Sequence, residues 1–178
     1  MDKDKDNAPP VQSTPIDIRP TYKHNYTGHI EDNKDLLEHT QAVSKRIVCM
    51  VGDMYVRAVN HDRSKFSDEE YQSFVGQTVK LKDLVYGSDE YRAELEKIRP
   101  AIDHHYACNR HHAQHFPNGI LGMNLVDIVE MFCDWHAAIL RQKNGDIRKS
   151  IEIDQERFKF SDDLKQIFLN TVDVLEGT

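Results

Sequence analysis

Histidines are concentrated in one short stretch of the chain, HHYACNRHHAQH, at residues 104–115. This stretch holds five of the ten histidines of the 178-residue sequence. Imidazole nitrogens are common ligands of transition-metal ions, and a buried imidazole needs partners for its nitrogens. One buried histidine is most simply explained by a hydrogen bond to a core carbonyl group. Five together indicate a metal site, provided that other segments bring further ligands to them.

Helical phase sorts these histidines into two faces. The stretch is predicted to continue the helix that follows Pro100, up to the turn FPNG. Extending the apolar positions Ile98 and Ile102 at three- and four-residue steps leads to His105 and His112. We therefore expect these two imidazoles to point inward. At least one histidine of the neighbouring face should point toward solvent, and that face holds His104, His111 and His115.

A row of carboxylates lies on the next predicted helix. Asp127, Glu130 and Asp134 are three and four residues apart and therefore share one side of that helix. Like charges at this spacing repel each other by a few tenths of a kcal/mol, and a nearby cation would remove that cost. A solvated acidic face, partly relieved by Arg141, would explain the row equally well if it stood alone. Beside a histidine-rich helix, a bound metal ion is the better explanation.

Two further segments offer ligands. In HDRSK, His61 and Asp62 are adjacent at the predicted end of the first helix, so that an imidazole nitrogen and a carboxylate oxygen could reach one ion. Lys65 follows one turn later and could bind a phosphate oxygen. His39 lies within the apolar stripe of the first helix and is predicted to point inward.

The order of these residues resembles two families. The pattern formed by His39, His61-Asp62, paired histidines and a later Asp is similar to the H…HD…H…D pattern of HD-domain metal phosphohydrolases, with HDRSK in place of H-D-x-G-K. The motifs HDRSKF, YGSDEY, HHYACNRHH and NLVDIVEMFCDW more closely resemble an uncharacterised family of phage and bacterial proteins, over roughly residues 35–175. That family carries no established activity.

The residues and the resemblance together predict a site and a function. Lys65 is expected to bind phosphate, and Glu130 to act as general base or to orient a ligand histidine. The expected reaction is metal-dependent hydrolysis of a phosphoester, in a nucleotide or a related small molecule, with Mn, Fe, Co, Ni or Zn as the divalent ion. The alternative is a non-catalytic helical binding protein of phage type that a metal stabilises. The predicted metal ligands are His39, His61, Asp62, His105, His112 and Asp134.

Composition limits the other classes of function. The formal net charge of −7, from 30 acidic and 23 basic residues, makes a nucleic-acid partner unlikely. The short basic segment RQKNGDIRK is better explained as a solvated helix end. Three widely spaced cysteines without a C-x-x-C pair predict reduced thiols in a cytoplasm, which would be the host cytoplasm for a viral protein. No apolar run approaches a membrane-spanning length, and no signal peptide is expected.

The elements that must position the site are predicted to be helices. Residues 1–30 are polar and without periodicity, and we expect a disordered tail followed by a single domain over 31–178. This domain should be an all-α, HD-like fold of six or seven helices. Capping patterns are expected at Ser67 with Glu70, at Ser88 and at Ser161. The first helix, over about 32–60, has an inward stripe formed by Leu36, Val43, Ile47, Met50, Met54 and Ala58.

Overall fold

Helices form the whole regular structure of the computed structural model, which describes residues 33–81, 83–85, 87–141 and 145–176. Within these residues there are seven α-helices, three short 3-10 helices and no strand, which confirms the all-α prediction. None of the helices in this described part is long and apolar enough to span a bilayer. The tail predicted over residues 1–30 lies outside the described residues.

The chain runs through one long helix and six shorter ones. A 3-10 turn over Arg63–Phe66 follows the first helix, and two others, Ala113–His115 and Gly119–Gly122, precede the fifth. In chain order the helices are α1 Lys34–Asn60, α2 Tyr71–Leu81, α3 Asp89–Glu96, α4 Arg99–Cys108, α5 Leu125–Ile139, α6 Ile147–Phe158 and α7 Asp162–Glu176.

Side-chain caps fix several of these helix starts. Ser88 accepts a hydrogen bond from the backbone amide of Tyr91, and Ser161 accepts one from the amide of Leu164, as predicted. The cap predicted at Ser67 with Glu70 is wrong, because α2 begins at Tyr71 and the Glu70 carboxylate turns inward to two histidines. The Glu70 carboxylate therefore forms hydrogen bonds with the two histidines and does not cap α2.

The hydrophobic core lies between α5, α6 and α7. Aromatic side chains contact one another across it, with the rings of Phe132 and Phe168 stacked at 5.3 Å and those of Trp135 and Phe158 at 6.0 Å. One side of α5 is therefore packed into the core, and the other sides of the same helix carry the predicted carboxylates. The buried apolar residues of this core are Met131, Phe132, Ile147, Ile151, Phe160, Phe168 and Val172.

The first helix departs from the prediction in one respect. Its bounds agree with the sequence, but no residue of α1 is buried, so its predicted inward stripe is exposed. One reason is length: α1 has 27 residues and α5 only 15, so that α5 lies beside the last turns of α1 alone, and even there it does not bury Met54 or Ala58. Near those turns, Met54 and Ala58 share a cavity with Val126 and Val129 of α5.

Candidate metal centre

A tight turn after α1 brings His61 and Asp62 to the centre of the site. His61 follows the last residue of α1, and Asp62 has a left-handed backbone conformation with a φ of 57°. Aspartate tolerates this conformation better than most residues do. The chain then reverses through the turn Arg63–Phe66, and Lys65 Nζ donates a hydrogen bond to Asp62 Oδ2 at 2.5 Å. Both predicted ligands of HDRSK therefore reach the same site.

The histidine-rich stretch is not one helix, which corrects the predicted faces. Helix α4 ends at Cys108, and Asn109 caps it in an extended conformation, so helical phase cannot be carried through to residues 111 and 112. His105 is buried at the end of α4, as predicted. His112 is half-buried, whereas His111, which was predicted on the neighbouring face, is 1% exposed. The sequence analysis missed His111 because it extended the helix to the turn FPNG, about two turns beyond Cys108.

Four side chains converge on one point. The Nε2 atom of His105 lies 2.9 Å from Nε2 of His112 and 3.2 Å from Oδ1 of Asp62. The Nε2 atom of His111 lies 3.4 Å from the same carboxylate oxygen. One ligand atom from each of these four residues falls within 4.8 Å of the others, so that this group could hold a metal ion.

A second group of three shares His111 with the first. His61 Nε2 lies 3.6 Å from Asp134 Oδ1, and the rings of His61 and His111 are 4.4 Å apart. The ligand atoms of His61, His111 and Asp134 also fall within 4.8 Å of one another. Asp134 comes from α5, so the site joins the end of α1, the end of α4 with the loop behind it, and α5.

Two glutamates hold the opposite nitrogens of these histidines. Glu70, which is fully buried, accepts through Oε2 at 2.8 Å from His105 Nδ1. Glu130 Oε1 lies 3.0 Å from His61 Nδ1 and 3.1 Å from His111 Nδ1. With Nδ1 held by a carboxylate, each ring presents Nε2 to the centre, as metal-binding histidines do in carboxylate–histidine–metal arrangements. Glu70 was not recognised from the sequence, where its spacing from Ser67 indicated a helix cap.

Two atoms at this centre are buried without a hydrogen bond. Of the buried side-chain nitrogens and oxygens in the described residues, Asp62 Oδ1 and His111 Nε2 are two of the three that make none. Unpaired buried polar atoms are costly and rare, and the binding of an ion is one explanation for them. The donor set is therefore consistent with a cation at the point where these atoms meet.

The charges of the donors suit a divalent cation. Burial opposes the charge of Asp62, but His105, His111 and Lys65 outweigh burial and hold the pKa of its carboxyl well below the usual range. Burial, together with the neighbouring His111 and His105, lowers the pKa of His112 to about 3, so that this ring is neutral at pH 7. Hydrogen bonds to Asp134 and Glu130 raise the pKa of His61 to about 10. Metal binding requires deprotonated ligands, so an ion must displace a proton from His61.

The remaining carboxylate of α5, that of Asp127, is not among the candidate ligands. Asp127 is fully buried, and its oxygens accept from Arg57 at 2.5 Å and from Arg110 at 2.9 Å. Its Oδ2 also accepts from the backbone amide of Asn124, which completes a capping box at the start of α5. Two arginines, rather than a metal ion or Arg141, relieve the repulsion that the sequence analysis noted for Asp127.

His39 does not join the site. It lies on α1, 22 positions before His61, and helix geometry places the two about 33 Å apart along the axis. His39 is exposed, on the part of α1 that extends beyond α5. His39 and His61 cannot bind the same ion at this distance. Because His39 is also exposed, the prediction that it points inward is wrong.

A cavity of about 210 Å³ opens beside the centre. His105, His111, His112 and Asp134 form part of its wall, so the candidate ligands face an accessible space. Cationic and aromatic side chains form much of the remaining wall, and they are Lys65, Arg141, Arg157, Phe74, Tyr91, Tyr106, Trp135 and Phe158.

Comparison with known proteins gives one match. The model of a family described as a family of unknown function, DUF5662, matches residues 28–174. No curated protein and no solved structure matches the chain. The family prediction is thereby confirmed as an uncharacterised domain family, and the likeness to HD domains stays a prediction.

Proposed function

Since the chain belongs to the DUF5662 family, whose function is unknown, its activity has to be inferred from its site, and we propose that it is a metal-dependent phosphohydrolase. The substrate class is a nucleotide or a related small phosphoester. The observation that supports this proposal is the convergence of imidazole nitrogens and carboxylates from three parts of the chain beside an open cavity.

The donor set suits a divalent ion of the transition series. A mixture of imidazole and carboxylate ligands is compatible with Mn, Fe, Co, Ni or Zn. Such an ion, when bound, polarises a phosphoryl oxygen and makes water more acidic, which is the chemistry that hydrolysis of a phosphoester needs. We assign the ligand roles to His61, Asp62, His105, His111, His112 and Asp134.

Lys65 and Glu130 receive different roles. Lys65 lies in the cavity wall and contacts the candidate ligand Asp62, where its ammonium group can bind a phosphate oxygen next to the ion. Glu130 bonds His61 and His111 through Oε1, while Oε2 accepts from Arg57 at 3.3 Å. These contacts favour the orienting role for Glu130 over that of a general base.

The cavity wall supports a nucleotide as the substrate. The aromatic side chains Tyr91, Trp135 and Phe158 offer surfaces on which a base can stack. Arg157 lies over the Phe158 ring at 4.7 Å, and Arg141 lies in the same wall. Guanidinium groups bind phosphate oxygens through paired hydrogen bonds. A phosphate next to the ion and a base against the aromatic rings would use both parts of this wall.

The order of the candidate ligands along the chain supports the assignment of this proposed enzyme to the HD-domain type. His61-Asp62 precedes the histidines of the α4 end, and Asp134 follows on a later helix, as in the pattern that the sequence resembles. His39 stands outside the site, so the first histidine of that pattern has no counterpart there. The HD assignment therefore rests on the remaining positions.

One feature favours the non-catalytic alternative. Six candidate donors surround the centre, and two of them, His105 and His111, are almost fully buried. Structural metal sites are closed by protein ligands, whereas catalytic sites keep one position open to water or substrate. If all six donors bound the ion, no position would remain for water or substrate, and the metal would only stabilise the packing of the helices.

Elemental analysis and a phosphoester screen test the proposal together. Protein purified without chelators should carry a divalent transition metal and release phosphate from at least one nucleotide. Asp62→Ala should abolish this release and keep the helical content, since a lost ligand disables the ion. Asp68→Ala, which changes an exposed aspartate nearby, is the control and should remain active. Metal binding without any hydrolysis would favour the structural alternative, and activity in Asp62→Ala would refute the proposed site.

A further inference from the structure

A further group of possible metal ligands lies next to the metal centre. It consists of Glu70, His104 and Cys108, and we call it the Cys108 group. One ligand atom from each residue lies within 4.8 Å of the others. Glu70 links this group to the centre, because its Oε2 bonds His105 and its Oε1 lies 2.7 Å from His104 Nδ1. None of the three residues is among the six donors assigned to the centre, so the group has a donor set of its own.

Helix α4 places two of these side chains on one face. His104 and Cys108 are four residues apart, and Cys108 is the last residue of the helix. Residues at this spacing are neighbours on a helix surface, and metalloproteases bind zinc through two histidines at the same spacing. The C-terminal end of a helix also carries a partial negative charge, which favours a cation there.

The position of the Cys108 sulfur argues against a cysteine nucleophile that a histidine activates. Sγ lies 3.7 Å from Nε2 of His104 and 3.9 Å from Nδ1 of the same ring. A sulfur aligned with Nε2 for proton transfer would be much farther from Nδ1 than from Nε2. A nucleophile and its base need a direct hydrogen bond, and these two distances do not describe one.

The same distances are close to those between two ligands of one zinc ion. With zinc at about 2.1 Å from nitrogen or oxygen and about 2.3 Å from sulfur, tetrahedral ligands lie roughly 3.4–3.6 Å apart. Sγ and Nδ1 are 3.9 Å apart, and Nδ1 and Glu70 Oε1 are 2.7 Å apart. Side-chain movements of less than about 1 Å would therefore bring the three donors onto one ion.

The charge of Glu70 also favours a cation at this place. Its side chain is fully buried, and in the described part of the chain its ion-pair partners are the imidazoles of His104 and His105. Asp127, the other fully buried carboxylate beside the centre, is instead paired with two arginines. A buried charge is costly unless a partner compensates it, and a divalent ion at Oε1 would compensate that of Glu70.

We propose that the Cys108 group binds a zinc ion through Glu70 Oε1, an imidazole nitrogen of His104 and the thiolate of Cys108. Thiolate and imidazole ligands together suit zinc, whereas magnesium, calcium and manganese prefer oxygen. The ion displaces the thiol proton, which passes to the solvent, and three protein ligands leave a fourth position for water. Cys108 is exposed and the His104 side chain is 35% exposed, so this site should bind zinc more weakly than the centre and fill when zinc is added.

Cobalt(II) titration of the reduced full chain tests the proposal. A cobalt–thiolate bond absorbs in the near ultraviolet, and the six donors of the centre include no thiol, so cobalt bound at the centre does not produce this absorption. Cobalt should produce it at the Cys108 group, and zinc should abolish it by displacement. A chain saturated with cobalt that shows no thiolate absorption would overturn the proposal. An absorption that zinc does not remove would overturn the assignment to zinc.

The other two cysteines provide matched controls. Cys108→Ser should abolish the cobalt–thiolate absorption, and it changes an exposed side chain, so the fold should be kept. Cys49→Ser and Cys133→Ser change the other exposed cysteines and should retain the absorption. An absorption that persists in Cys108→Ser, or that either control abolishes, would overturn the assignment of the thiolate ligand.

Two histidine variants separate this site from the centre. His104→Ala should lower zinc affinity at the Cys108 group by at least about a hundredfold, since the loss of an orienting partner alone costs roughly 10–100-fold, and zinc competition against the cobalt absorption measures it. His111→Ala should lose the metal of the centre but retain the cobalt–thiolate absorption, with circular dichroism to show that it is folded. Wild-type zinc affinity in His104→Ala would overturn the ligand role of His104. Loss of the absorption from folded His111→Ala would overturn a site separate from the centre.

Discussion

The Nε2 atoms of His105 and His112 lie 2.9 Å apart at the centre of the histidine cluster. Ligand nitrogens about 2.1 Å from one ion are about 3.0 Å apart when they subtend a right angle and about 3.4 Å apart at the tetrahedral angle, so this spacing is compatible with two ligands of the same metal. Asp62 Oδ1 lies 3.2 Å from the same nitrogen of His105, which extends the spacing to a third donor. The apposition of these atoms is the geometric basis for the site.

Removing His111 should remove the metal. This ring belongs to both candidate ligand groups and is buried, so His111→Ala should lower metal affinity by more than about a hundredfold, since the loss of an orienting partner alone costs roughly 10–100-fold. Elemental analysis after purification without chelators measures the loss. His39→Ala removes an exposed histidine of α1 and should leave the metal content unchanged. Equal metal loss in both variants would contradict the site.

The fold was predictable from the sequence because its signals are local. Ser88 and Ser161 cap their helices through contacts within three residues, and the apolar spacing of α5 follows one face. The pair His61-Asp62 was recognised as a candidate for the same reason, as two adjacent residues at a predicted helix end. Asp134 required only the additional step of placing it on a helix face.

The errors all concern contacts that local spacing does not specify. His111 was placed on the neighbouring face rather than the inward one because the prediction carried the helix past Cys108, where α4 ends and helical phase no longer sets the direction of each side chain. Glu70 and Ser67 have the spacing of a capping box, but the carboxylate is bonded to histidines 34 and 35 residues away in sequence. Asp127 shares a helix face with Asp134, yet it bonds Arg57, which is 70 residues away in sequence, and is not a candidate ligand.

Glu70 should influence metal binding without contacting the ion. Glu70→Gln keeps the size of the side chain but weakens the hold on His104 and His105, so metal affinity should fall by roughly 10–100-fold. Isothermal titration calorimetry with Zn or Mn measures this change. Glu69→Gln alters the exposed neighbour and serves as the control. Unchanged affinity in Glu70→Gln would show that Glu70 does not orient His105 for binding.

Asp127 should matter for stability rather than for the metal. Asp127→Ala leaves Arg57 without its buried partner and removes the cap of α5. We expect unfolding in urea to show a loss of about 2–3 kcal/mol, less than the 3–5 kcal/mol typical of fully buried pairs because Arg110 is half exposed. Metal content, measured in the folded variant, should equal that of the wild type. Loss of metal from a folded Asp127→Ala protein would contradict this expectation and would show that Asp127 supports the site through Arg57, which also bonds Glu130.

Metal binding should release a proton even at about pH 8. Hydrogen bonds to Asp134 and Glu130 raise the pKa of His61 from 6.5 to about 10, so the metal-free ring is still protonated there. An ion at Nε2 must displace that proton, whereas a histidine of ordinary pKa would already have lost it. Calorimetry in buffers of different ionisation enthalpy counts the protons released. Binding enthalpies that do not depend on the buffer would refute this expectation.

The same raised pKa gives the metal-free protein a pH-dependent stability. A group whose pKa is higher in the folded state stabilises the fold fully below its unfolded pKa, and this contribution is lost as the pH rises through the folded value. For His61 the loss extends from pH 6.5 to about 10. The melting temperature of chelator-treated protein should fall over this range, and it should fall less in His61→Gln, which carries no titrating ring. Identical pH profiles would contradict the charged state of His61.

Lys65 should act on substrate binding rather than on metal binding. An ammonium group cannot ligate a cation, and Lys65 lies in the cavity wall, so Lys65→Ala should raise KM for the phosphoester about tenfold or more, the loss of one charge-assisted hydrogen bond. Metal content should be unchanged. Lys80→Ala, which removes an exposed lysine of α2, controls for the change in net charge. Because Lys65 also bonds Asp62, metal loss with an unchanged KM in the remaining loaded enzyme would instead assign it to holding that carboxylate in place.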